Sequence, residues 1–156
     1  MAATPRPATA NVALLLVRLI LATVFLYHGS QKLFGWFGGG GIAGTAGYFA
    51  YLHLPLPTLN AWLSALAEFL GGVFLLIGSG LRIALIPLII NMIVATLVTL
   101  PGGFNVMTHG CEYPLTLLVV LIALEITGPG VWTLGNLLMG DRPAVGGTLS
   151  PTATAR

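Results

Sequence analysis

The 156 residues carry six Lys/Arg and four Asp/Glu, while 56% are apolar and the mean hydropathy is +0.97. A soluble domain keeps roughly 25% charged residues because its surface faces water, so this composition excludes one and points to lipid as the solvent. No basic cluster interleaved with aromatics exists, which sets nucleic acid aside, and the single Cys111 allows neither an intrachain disulfide nor a Cys-based metal framework.

A helix needs about 20 apolar residues to cross the hydrocarbon core of a bilayer. Four runs meet that length: Val12–Phe34, Asn60–Ser79, Leu81–Leu100 and Glu112–Leu134. The chain is therefore expected to be all-α, an integral membrane four-helix bundle spanning residues 12–138. Residues 1–11 and 139–156 are rich in Pro, Ala, Thr and Gly and are expected to be disordered cytoplasmic tails. Between the first two spans, Gly38 to Gly41 precede Ile42–His53, which is too short to span. Its Tyr48, Phe49, Tyr51 and His53 suit a short interfacial helix in the first outer loop. Gly78-Ser79-Gly80 leaves room only for a tight turn between antiparallel neighbours. With the N-terminus inside, Arg6, Arg82, Arg142 and Arg156 are cytoplasmic and Lys32 is outside, so a multi-pass cell-membrane protein with both termini cytoplasmic is expected.

Ionisable residues inside spans are costly and usually face the bundle with partners. Arg18, Glu68 and Glu125 are the three. At 1.5 Å per residue, Arg18 and Glu125 lie at about the same depth, which makes them the expected inner pair, with Arg82 at the mouth of the third span supplementing or replacing Arg18. Glu68 lies nearer His28 and Lys32. Asn60, Ser64, Glu68, Gly71, Leu75 and Ser79 share one face of the second span, and small residues there permit close helix approach. A carboxyl in a low-dielectric site tends to hold a proton, so Glu68 with His28 is the candidate catalytic, proton-coupled pair. A structural reading stands beside it, in which the buried charges only fix helix register. An echo, Arg18…His53…Glu68-x-x-Gly71 against Arg82…His109…Glu125-x-x-Gly128, spans too few positions to separate a repeat from chance. His28, His53, His109, Cys111 and Glu112 share the outer side without a metal-ligand spacing, and no metal site is assigned.

These residues resemble the DoxX family of small four-helix membrane proteins. The resemblance is carried by Arg18-Leu19-Ile20-Leu21 with Tyr27–Gly35, by Ala67–Gly72 and Gly78–Arg82, and by Gly110–Leu115 with Gly128-Pro129-Gly130. It implies a four-helix inner-membrane bundle, and its motifs map onto Arg18, His28, Lys32, Glu68, Arg82 and Glu112. With Glu125, the residues beside the Glu68–His28 pair form the candidate substrate-binding set. The family is linked to membrane redox chemistry, including the membrane part of a thiosulfate:quinone oxidoreductase. The expected function is a quinone-linked membrane subunit of a redox or thiol/sulfur-handling system, rather than a complete enzyme. Quinone is the candidate cofactor, and the candidate partners are the lipid bilayer, a redox protein that supplies electrons, and further copies of the chain. The alternatives are a non-enzymatic anchor for a soluble redox protein and a small-solute or proton pathway.

Overall fold

The computed structural model describes residues 6–139. Four long helices form the body: α1 (Ala8–Phe34), α3 (Pro57–Ile77), α4 (Leu81–Thr99) and α5 (Glu112–Thr127), with the shorter α2 (Gly41–Tyr51) between the first two and α6 (Leu134–Leu138) last. At 1.5 Å per residue α1 and α3 extend about 40 and 32 Å, enough for a ~30 Å hydrocarbon core, and α4, about 29 Å long, reaches it with the helical turn Leu100–Gly102 that continues it. All three are also apolar enough to cross a membrane. Their outward side chains agree, since Leu16, Ile20, Ile83 and Leu97 are each more than 60% exposed, an arrangement that lipid tolerates and water does not. The protein is an all-α membrane protein.

Boundaries differ from the sequence expectation where backbone chemistry, not hydropathy, sets them. Residues 8–11 are helical, because Pro7 fits just ahead of the first turn and Asn11 is buried. α3 starts three residues early with Pro57 as its first helical residue. α5 stops at Thr127 instead of Leu134: Gly128 (φ 76°, ψ 178°) leaves helical space and Pro129 cannot continue the ladder. At 16 residues α5 is about 24 Å long, shorter than the hydrocarbon core. The tail after Met139, with Arg142 and Arg156, lies outside the described residues.

The expected tight turn is present, with Gly78 and Gly80 both at positive φ. α1 packs along α3 more extensively than any other pair of helices. The sequence permits this at two points. A Cβ on Gly29 would meet the Phe69 backbone, and one on Gly72 would meet Leu26. Leu21, Phe25, Leu75, Leu85, Leu88 and Leu121 fill the space between α1, α3, α4 and α5. The bundle has two ends. α1 runs from the Arg18 end to the Lys32 end, and α2 lies at the latter.

Candidate functional site

Side chains on a helix lean toward its N-terminus. Lys32, in the last turn of α1, therefore reaches back into the bundle. Its ammonium donates to Ser64 Oγ at 3.0 Å and meets Glu68 Oε1 at 2.5 Å. Ser64 and Glu68 are one turn apart on α3, so they present to the same partner. From α4, Asn91 Nδ2 donates to the same Oε1 at 2.9 Å. Three helices thus converge on one carboxylate. Glu68 is 3% exposed, and among the described residues its second oxygen, Oε2, has no hydrogen-bond partner.

This cluster borders a cavity of about 390 Å³. Lys32, Ser64, Glu68 and Asn91 form its main polar cluster, α4 also contributes Val94, Ala95, Val98 and Thr99, and α2 covers it with Gly44, Thr45, Tyr48 and Phe49. The glycines ahead of α2 make that placement possible. Gly35, Gly38 and Gly41 all take positive φ, which turns the chain back over the end of the bundle. A Cβ on Gly44 would meet no heavy atom within 4 Å, so that side of α2 leaves space open.

The expected Glu68–His28 pair does not form. His28 Nδ1 faces Gln31 Oε1 at 3.1 Å, the ring packs edge-on against Tyr27, and His28 is absent from the cavity wall. The lysine one turn further on has the length to reach the carboxylate that the imidazole was expected to meet. The expected Arg18–Glu125 pair does not form either. Arg18, 1% exposed, donates through Nε to Leu75 O (3.0 Å) and through Nη2 to Leu76 O (3.1 Å). Its Nη1 donates to Pro129 O (3.0 Å) and Trp132 O (2.7 Å). The last carbonyls of a helix lack intrahelical donors and carry the negative end of its dipole, so the guanidinium caps α3 and ties it to the segment after α5. Asn11 Oδ1 holds the same segment by accepting from Val131 N at 3.3 Å.

Glu125 is half-buried on α5, and its Oε2 has no partner among the described residues. Arg82 is exposed; its guanidinium passes Gly128 and forms no ion pair with Glu125 among the described residues. Glu112 is spent on local structure, since its Oε2 accepts from Val106 N at 3.1 Å and closes the loop before α5. Of the sequence candidates, only Lys32 and Glu68 come together at the cavity. Asn91 was missed, although an amide within the apolar run of α4 is itself a signal of a buried partner.

The family model described as DoxX matches residues 13–101, which takes in α3 and α4 whole and all but the first five residues of α1, and so every polar group of the cavity. The Gly110–Leu115 and Gly128–Gly130 motifs lie beyond that match. An uncharacterized membrane protein of Mycobacterium tuberculosis is 33% identical, with 83% of each chain covered. No solved structure matches the chain. The chain belongs to the DoxX family of membrane proteins.

Proposed function

We propose that the cavity at the Lys32 end is a quinone site, and that the protein is the quinone-linked membrane subunit of a redox or thiol/sulfur-handling system. The observation that carries this reading is a cavity at one end of the apolar helices whose walls are mostly apolar and whose polar groups gather at Lys32, Glu68 and Asn91. Ligand sites of this kind are concave and apolar, with a few convergent polar groups that fix orientation. A quinone ring would place an oxygen at the polar cluster and leave its tail among the apolar side chains of α2 and α4. Its reduction consumes two electrons and two protons. A redox partner supplies the electrons, and Glu68, held by Lys32 and Asn91, is the group placed to exchange protons with the ring oxygen. Lys32 and Asn91 take the place beside Glu68 that sequence reasoning gave to His28.

The orientation that puts Arg6 and Arg82 in the cytoplasm places this cavity on the outer side of the membrane. Purification in mild detergent and organic extraction tests the reading. Wild-type protein is expected to carry quinone, or to bind a short-chain benzoquinone when titrated. Protein that carries none and binds none would refute it.

A further inference from the structure

The loop that joins α4 to α5, at the Lys32 end of the bundle, is closed on itself. Val106 N donates to Glu112 Oε2 at 3.1 Å and Met107 N donates to Asn105 Oδ1 at 2.9 Å. The N–H groups that follow, from Thr108 to Glu112, all donate to carbonyls of residues 103–106. No backbone N–H from Val106 to Glu112 therefore needs water. The side chains left outside are apolar, with Phe104 65%, Val106 49% and Met107 83% exposed. Residues 100–111 contain no Lys, Arg, Asp or Glu, and the Glu112 carboxylate is engaged within the loop.

The level of the loop in the membrane follows from α4. With its last turn that helix runs Leu81–Gly102, 22 residues. That is about 33 Å, so a ~30 Å hydrocarbon core entered at Leu81 ends near Gly102, where the loop begins. Leu97 and Leu100, 62% and 55% exposed, lead up to it. An uncharged tip with its N–H groups already met gives a soluble protein partner little to set its register. The lipid interface requires only that polar backbone be satisfied and apolar side chains be buried. We infer that this loop is an interfacial lipid anchor, with Phe104, Val106 and Met107 seated at the headgroup–acyl boundary and Glu112 holding the backbone that carries them. Without Lys or Arg in the loop, the anchor has no dependence on anionic lipid. The inference is independent of the quinone site.

The test places a nitroxide at Met107→Cys, and separately at Phe104→Cys, in the full chain in phosphatidylcholine nanodiscs. Native Cys111 is 4% exposed, and wild-type chain treated with the label is the blank. Relaxation of the nitroxide by oxygen against a water-soluble nickel chelate reads its depth. Both labels are expected about 5–10 Å inside the headgroup boundary, with or without added anionic lipid. In Glu112→Ala the Val106 N–H loses its acceptor, and the Met107 label should move toward water. Labels at both positions relaxed mainly by the nickel chelate would overturn the inference and leave the tip free for a soluble partner. A Met107 label at unchanged depth in Glu112→Ala would overturn the role given to Glu112. Both labelled positions are exposed, so the depth measurement stands even if Glu112→Ala fails to fold.

Discussion

Each end of the bundle holds a cation, buried at Arg18 and partly exposed at Lys32, and the two ends treat it in opposite ways. At the Arg18 end the guanidinium donates to four backbone carbonyls from two segments. At the Lys32 end the ammonium shares a carboxylate with Asn91, one carboxylate oxygen is left unmet, and a cavity adjoins it. A charge at membrane depth is therefore no guide to function by itself; what separates the two ends is whether its partners saturate it. A saturated cation locks helices together. An unsaturated cluster beside open space is where a ligand gains something by arriving.

The largest expected effect falls on the lock. Arg18→Met leaves the last carbonyls of α3 and the segment after α5 without donors, and should cost about 3–5 kcal/mol, seen as a large drop in melting temperature in detergent. Arg18→Lys should recover little of it, because one ammonium cannot span two segments as a planar fork does. Gly78→Ala comes next. Its Cβ would overlap the Arg18 guanidinium, and φ is 78° there, so a loss of roughly 2 kcal/mol is expected by the same melt. If either variant melted like wild type, the lock would not be one.

At the other end the ordering reverses, with small stability effects and large binding effects. Glu68→Gln should shift stability by about 1 kcal/mol, because Asn91 and Lys32 still find an acceptor in the amide oxygen. Affinity for a short-chain benzoquinone should fall about tenfold in the same variant. Equal losses of stability and binding would erase the contrast between the ends.

How far the sequence foretold this follows from what sequence can mark. Hydrophobic runs located α1, α3 and α4, and the glycines at 78 and 80 marked their turn. Glu68 announced itself as a carboxyl in an apolar helix, and Ser64 shared its face. Arg18's partners were invisible, because they are carbonyls that any residue carries, and the search for an oppositely charged side chain led to Glu125. Lys32 displaced His28 because reach and the N-terminal lean of helical side chains decided the contact, which depth alone does not capture. The cavity was also hidden. It depends on how the glycine segment lays α2 over the bundle, and Gly44 matters there for what it leaves empty.

Gly44→Phe is the most direct test of the claim that the Lys32 end binds and the Arg18 end holds. The added side chain starts from open space on the cavity wall, and replacing a helical glycine favours the helix by a few tenths to about 1 kcal/mol. Quinone extracted per mole of purified protein, measured beside the melting temperature, should fall at least about tenfold with no loss of stability. Wild-type quinone content in a Gly44→Phe protein of wild-type stability would contradict the account.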